Sequence, residues 1–229
     1  KLTSLQNNRS VSWNFATLQF LSFAALSLLG TYGTVYFKRR GISDFQLGIL
    51  YSVPSIVSIF SPMVWGITSD WLRKRKPVVV LMHLVSASLF PLFWFLNSQS
   101  FLLLCIVMGL FSFFFQASIP LIDAWTLDHL SHKGGDYGRI RSWGSVGYMT
   151  PLIISMFVFS PSAGGRAEVL LPMFLGVSGF RIIAAAQATF LPDYALEKRE
   201  EMEWRVLKIY LRPFALTFFF SVFEVSFIL

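Results

Sequence analysis

The chain has little charge and almost no cysteine. Charged residues make up 14% of its 229 residues, whereas a soluble domain carries about 25%. Its single cysteine, Cys105, lies in the middle of an apolar run, which excludes a disulfide framework within the chain and a cysteine metal site. The sequence contains no glycine-rich phosphate loop, no nucleophile elbow and no paired-histidine metal spacing. It therefore predicts neither a cofactor nor a metal, and it does not favour an enzyme.

Hydrophobic residues dominate instead, at 55% of the sequence, and most of them fall in long runs. The six runs are Trp13–Phe37, Phe45–Ile67, Val78–Leu96, Phe101–Ile122, Trp143–Phe159 and Val169–Leu191. About 20 apolar residues of helix cross a hydrocarbon core about 30 Å thick. The runs do not alternate as the strands of a membrane barrel do, so helices are the structure that satisfies their backbone groups in lipid. We predict an all-α, polytopic membrane protein in contact with a lipid bilayer.

The apolar runs and the polar stretches between them divide the chain into four parts. We predict a cytoplasmic tail over residues 1–12, a six-helix transmembrane bundle over 13–191, a charged cytoplasmic linker over 192–212 and the truncated first helix of a second bundle over 213–229. The first residue is lysine rather than methionine, and the last apolar run stops at Leu229. We therefore expect a fragment of a longer protein.

Positive charge is distributed unevenly between the two sides of the predicted membrane. The tail and every second loop carry 14 of the 19 Lys and Arg residues, and the other loops carry 4. Lys and Arg in short loops mark the cytoplasmic side, so we predict a cytoplasmic N-terminus, although the outer cluster 38–40 opposes this rule. The net charge of +7 follows this pattern and does not indicate nucleic-acid binding. The basic inner loops fit either contact with acidic lipid headgroups or a role in gating.

Two ionisable residues lie at the inner ends of neighbouring runs. Asp123 follows the fourth run and Arg141 precedes the fifth, and the loop between the two runs is short. Such side chains are expensive in a bilayer and are retained facing a bundle interior or a water-filled path. Gln116 lies seven residues before Asp123, and Tyr148 lies seven residues after Arg141, so each pair shares a helical face. From these residues alone, the pair either ties the two helices together or binds a solute.

A second motif follows the second run. Gly66 is followed after three residues by Asp70, and then by Arg73 and Lys74. This segment resembles the loop between helices two and three of the major facilitator superfamily, although Arg73 stands where the family has a glycine that permits a tight turn. The resemblance implies the six-helix N-terminal bundle of a twelve-helix transporter plus the start of helix seven, with these four residues acting in gating.

A longer motif on the fourth and fifth runs narrows the resemblance to the lactose permease branch, whose members are proton symporters for oligosaccharides, nucleosides and phenylpropionate. The matching residues are Gln116, Pro120, Asp123, Ala124, Tyr137, Gly138, Arg139, Arg141, Gly144, Val146, Gly147 and Tyr148. The resemblance implies that Asp123 and Arg141 bind substrate, that Tyr148 offers a ring face to it, and that Gln116 belongs to the same site.

The function that this resemblance implies is secondary active transport by alternating access, with proton-coupled uptake of a small polar organic solute such as a sugar, a nucleoside or an aromatic acid. The partners would then be the solute, protons and the missing C-terminal six-helix half. Arg181, within the sixth run, and Glu224, within the last one, are candidates for ion coupling. The alternatives are a seven-span receptor or signalling protein, which the inner N-terminus and the paired charges disfavour, and a membrane-embedded enzyme, for which no nucleophile–base or metal pattern is present.

Overall fold

The computed structural model describes residues 2–96, 100–158 and 171–194, which form helices and short connections without any strand. The α-helices are α1 (Leu2–Arg39), α2 (Asp44–Leu72), α3 (Lys76–Leu89), α4 (Phe101–Phe115), α5 (Ser118–Lys133), α6 (Tyr137–Val158) and α7 (Leu171–Thr189). A 3₁₀ helix, Phe90–Phe95, continues α3. The predicted all-α class is confirmed, and residues 195–229, which contain most of the predicted linker and the predicted last helix, lie outside the described residues.

Four stretches of the described residues are long and apolar enough to cross a bilayer. They are Val11–Arg39, Asp44–Leu72, Lys76–Phe95 and Phe101–Lys133. A shorter apolar helix, Met173–Thr189, lies within α7. The predicted six runs thus correspond to α1, α2, α3 with the 3₁₀ helix, α4 with α5, α6, and α7.

Helix α1 begins earlier than the sequence analysis placed it. It starts at Leu2, so most of the predicted tail of residues 1–12 is helical. No proline or glycine occurs between residues 2 and 12, and a helix is not stopped where neither residue is present. The helix therefore begins about three turns before the predicted span.

Two of the predicted spans change geometry at a proline. In the third, Pro91 has no N–H to continue the α-helical ladder, and the chain changes to the 3₁₀ helix at Phe90. In the fourth, a break at residues 116–117 separates α4 from α5. Pro120 leaves the carbonyl of Gln116 without its helical donor, and its ring crowds that same carbonyl. Gln116 therefore lies within this break and Asp123 on α5, and the shared face expected for them stays a prediction.

The C-terminal end of α2 forms a tight turn that the sequence did not predict. Arg73 has φ 52° and ψ 26°, in the left-handed region. Its N–H donates to the carbonyl of Asp70 at 3.1 Å, and the N–H of Lys74 donates to the carbonyl of Ser69 at 3.2 Å. The hydrogen bonds of this helix ending outweigh the cost of about 1–2 kcal/mol for a residue with a Cβ in that region. The family glycine is therefore not required for the turn.

Helix α1 is the central helix of the bundle, because it packs along both α6 and α7. Helix α3 packs on α7, and α2 packs on α4. Apolar side chains fill the interior in two clusters, one containing Phe90, Phe111 and Phe174 and the other containing Phe15 and Trp125. Since lipid is as apolar as these side chains, close packing and interhelical hydrogen bonds stabilise such a bundle. This packing places the start of α6 between α1 and the end of α5.

Candidate functional site

Asp123 and Arg141 lie in contact between α5 and α6. The three-residue connection Gly134–Asp136 joins these helices, and it is short because both glycines adopt positive φ, 71° at Gly134 and 135° at Gly135. The Nε atom of Arg141 lies 3.5 Å from Oδ1 of Asp123. Charge-assisted hydrogen bonds of this kind are usually about 2.7–2.9 Å long, so the pair is in contact but open. The side chain of Arg141 is 34% exposed, and that of Asp123 is 24% exposed.

Helix α1 supplies a third member of the site, which the sequence analysis missed. The Nε2 atom of Gln19 donates a hydrogen bond to Oδ1 of Asp123 at 2.6 Å. Gln19 is fully buried, and its Oε1 has no hydrogen-bond partner among the described residues. A polar amide within a long charge-free apolar run is unusual, and this was the signal in the sequence that could have identified Gln19.

Phe23 and Gly144 fix the position of the Arg141 guanidinium. Its Cζ lies 4.2 Å from the centre of the Phe23 ring, within the range of a cation–π interaction. A Cβ at position 144 would lie 2.7 Å from Nη1 of Arg141 and 2.9 Å from the ring of Phe23. Glycine at this position therefore leaves the space in which the guanidinium and the ring meet.

The backbones of α1 and α6 touch one turn further along. A Cβ at Gly147 would lie 2.2 Å from the carbonyl oxygen of Phe20 and 2.7 Å from its Cα. Small residues permit this kind of approach between membrane helices. Because Phe20 is flanked by Gln19 and lies one turn before Phe23, this contact also sets the distance from α1 to the charged pair.

Two tyrosines of α6 complete the arrangement. The hydroxyl of Tyr137 interacts with both Asp123 and Arg141. Tyr148 is 37% exposed, and it lies about 10 Å along the same face from Arg141. Ser145, also on this face, is exposed. The open side of the charged pair therefore continues into a polar and aromatic strip on α6.

Two further residues predicted for the site are Gln116 and Arg181. Gln116 is half-buried within the break, and the amide that bonds Asp123 is that of Gln19. Arg181 is fully buried and donates to Ser86 and Ser118 rather than to a carboxylate.

The predicted gating residues lie at the C-terminal end of α2. Asp70, Arg73 and Lys74 are exposed there, and a Cβ at Gly66 would meet no atom within 4 Å. Glu224, the second candidate for ion coupling, lies outside the described residues.

The chain that leaves α7 lies on the C-terminal half of α5. Trp125 Nε1 donates to the carbonyl of Pro192 at 3.1 Å, and the hydroxyl of Tyr194 lies 2.7 Å from Nδ1 of His129. The ring of His132 stacks on Tyr194. Burial against these side chains raises the pKa of Tyr194, so its hydroxyl stays protonated at neutral pH. This contact attaches the chain leaving α7 to the helix that carries Asp123.

Within the described ranges, no group of His, Cys, Asp and Glu residues is arranged to hold a metal ion.

Comparison with known proteins shows what the chain is similar to. A family model described as "MFS_1 like family" matches residues 12–227. The maltose permease of Geobacillus stearothermophilus is 33% identical over 184 residues, which cover 80% of this chain and 44% of that protein. The sucrose permease of Escherichia coli is 29% identical over 161 residues, covering 67% of this chain and 39% of the permease.

Among solved structures, a variant of the nucleoside transporter NupG superposes with a TM-score of 0.75 at 21% identity, over 90% of this chain and 50% of the transporter. The chain spans about half the length of the relatives it matches. The fold is thus that of half a transporter of this kind, and the resemblance seen in the sequence is confirmed.

The contact at Gly147 generates a prediction about stability. Gly147→Ala should lower the free energy of unfolding by about 1–3 kcal/mol, because the added Cβ meets the backbone of α1, which cannot rotate away. Gly179→Ala is the matched control, since a Cβ there meets nothing within 4 Å. The measurement is the midpoint of thermal unfolding of the complete protein in detergent. Equal midpoints for the two variants would contradict the close approach of α1 and α6.

Proposed function

The chain belongs to the MFS_1 like family, and on that premise we propose that it is the N-terminal half of a secondary active transporter for a small polar organic solute. Its multi-pass helical fold and its permease relatives support this proposal. Neither the receptor alternative nor an enzyme is favoured by relatives that are permeases. In transporters of this architecture, the solute site lies near the membrane midplane between two helical halves, so one face of this bundle contributes half of the site.

The open geometry of the Asp123–Arg141 pair carries the proposal. An ion pair that only ties two membrane helices together is stabilising when it is closed, buried and fully hydrogen-bonded. Here the nearest approach is 3.5 Å, and a quarter to a third of each side chain is exposed. Both side chains are therefore partly accessible to a solute while they remain in contact with each other.

The residue types define the class of solute. The carboxylate of Asp123 accepts hydrogen bonds, and the guanidinium of Arg141 donates them from a planar fork, which together suit adjacent hydroxyl groups. Tyr148 offers an exposed ring face along the same helix. We assign to Gln19 the role of holding Asp123 in place, and we retain Gln116 as a further contact. A sugar or a nucleoside fits this set best, and an aromatic acid would use Arg141 and the ring.

Substitutions in this set should differ in kind. Arg141→Lys keeps the charge but loses the planar fork, and Asp123→Asn leaves the arginine without its anion, so each should weaken solute binding roughly tenfold to hundredfold. Tyr148→Phe keeps the ring and should change affinity little, whereas Tyr148→Leu should weaken it. The measurement is the affinity of the complete protein for the member of a panel of maltose, sucrose, uridine and 3-phenylpropionate that the unmodified protein accumulates.

Protein yield and the midpoint of thermal unfolding serve as controls for folding in all four variants. If Arg141→Lys and Asp123→Asn retain normal affinity, the pair is structural and the solute binds elsewhere. If the unmodified protein accumulates no solute of the panel, this substrate class is wrong.

We extend the proposal to proton coupling, which the resemblance to the proton symporter branch implies. Addition of the solute to a lightly buffered suspension of vesicles should raise the external pH, because a symporter carries protons inward with the solute. Arg141→Lys, which should bind the solute more weakly, provides the control and should give a smaller pH change at the same solute concentration. Accumulation without any pH change, or without sensitivity to a protonophore, would rule out coupling to protons.

We also propose that the N-terminus is cytoplasmic and that Gly66, Asp70, Arg73 and Lys74 act as an inner gate against the second half. The charge distribution supports this orientation. In a Cys105→Ser background, a membrane-impermeant maleimide added from outside should label Asp44→Cys, whose native side chain is 83% exposed, and should not label Lys74→Cys. The reverse labelling pattern would overturn the orientation.

A further inference from the structure

Arg181 is a fully buried charge that the proposed site does not use. It lies on α7, within an apolar helix, and is 0% exposed. The ion pairs among the described residues join Lys38 to Asp44, Arg75 to Asp128 and Arg141 to Asp123, so no carboxylate in these ranges pairs with Arg181. A buried guanidinium is stable only when its donors are hydrogen-bonded.

The donors of Arg181 reach two different helices. Its Nε donates to Oγ of Ser86 on α3 at 2.8 Å, and its Nη1 donates to Oγ of Ser118 on α5 at 2.9 Å. Its Nη2 lies 3.4 Å from the carbonyl of Met82. The guanidinium also lies over the ring of Phe115, with Cζ 4.6 Å from the ring centre.

Two of these contacts lie on opposite sides of the α4–α5 break. Phe115 is the last residue of α4, and Ser118 is the first residue of α5. The hydroxyl of Ser118 donates to the carbonyl of Phe115 at 2.7 Å while it accepts from Arg181. Irregular backbone at membrane depth requires such partners, because water is not available there. The guanidinium of Arg181 thus contacts both sides of the break, the last residue of α4 and the first residue of α5.

We propose that Arg181 is a positioning residue that sets the angle between α4 and α5 and thereby places Asp123 beside Arg141. This inference rests on the proposed solute site. Asp123 lies five residues, fewer than two helical turns, beyond Ser118. Because α5 is a continuous helix between these two residues, a change at its start is transmitted directly to the carboxylate. Arg181 does not touch the solute.

The chain offers a matched pair of variants for the test. Ser86 and Ser118 are both fully buried, both donate to a backbone carbonyl three or four residues earlier in the chain, and both accept one hydrogen bond from Arg181. Ser118→Ala removes the bond at the break, whereas Ser86→Ala removes an equivalent bond on α3. A purely structural Arg181 would make the two variants alike.

The first measurement reports the break itself and needs no transport. Spin labels at Leu102→Cys and Leu127→Cys, in a Cys105→Ser background, lie on α4 and α5 at sites that are 76% and 50% exposed. Their separation is at most about 38 Å along the helices, which pulsed electron paramagnetic resonance can measure in the complete protein in lipid nanodiscs. Ser118→Ala and Arg181→Lys should shift or broaden the distance distribution, and Ser86→Ala should not.

The second measurement is solute affinity, with the panel solute that the unmodified protein accumulates. Ser118→Ala and Arg181→Lys should weaken affinity about tenfold at unchanged protein yield, and Ser86→Ala should leave it normal. An unchanged distance distribution overturns the inference, as does a shifted distribution with normal affinity or an equal effect of both serine variants. If the unmodified protein accumulates no solute, the proposed function fails, and the distances alone decide whether Arg181 holds the break.

Discussion

The backbone contact between α1 and α6 is the constraint on which the candidate site depends. Gly147 allows the two helices to approach until a Cβ would strike the carbonyl of Phe20. At that distance Gln19 reaches the carboxylate of Asp123, and the Phe23 ring lies against the guanidinium of Arg141. A wider spacing would break both contacts at once. The polar geometry of the site is therefore a consequence of close packing, since nothing in lipid drives apolar helices together more strongly than a good fit.

Buried polar groups in this bundle differ in how completely they are satisfied. Arg181 is sealed, with hydrogen bonds to hydroxyl groups on two helices and a ring beneath it. The side chain of Arg141 is partly exposed, and its Nε lies 3.5 Å from Oδ1 of Asp123. Satisfied networks rigidify a core, whereas a partly exposed and loosely paired group has capacity for a ligand. This contrast is the reason for proposing a positioning role for Arg181 and a binding role for Arg141.

The sequence predicted those features that depend on local pattern. The six helical spans followed from the six apolar runs, the fourth of which contains both α4 and α5. The proximity of Asp123 and Arg141 followed from the short loop between two spans. Gln19 could not be found in this way, because it lies 104 residues from Asp123 and meets it only through helix packing. Gln116 was assigned to the face of Asp123 on the assumption of a continuous helix, which Pro120 interrupts. Arg73 shows the reverse case, in which the capping hydrogen bonds at the end of α2 stabilise a turn that its residue type disfavours.

The break between α4 and α5 connects these observations. The helical hydrogen bonds are interrupted between α4 and α5, so the backbone of α4 is not the only constraint on Asp123. Its position also depends on Gln19 on α1, on the ion pair to α6 and on Ser118 at the start of α5. In the proposed transporter, a solute that replaces part of the Asp123–Arg141 contact would act on α5. Trp125 on the same helix donates to the carbonyl of Pro192, so in that proposal α5 contacts both the solute and the chain that leaves α7.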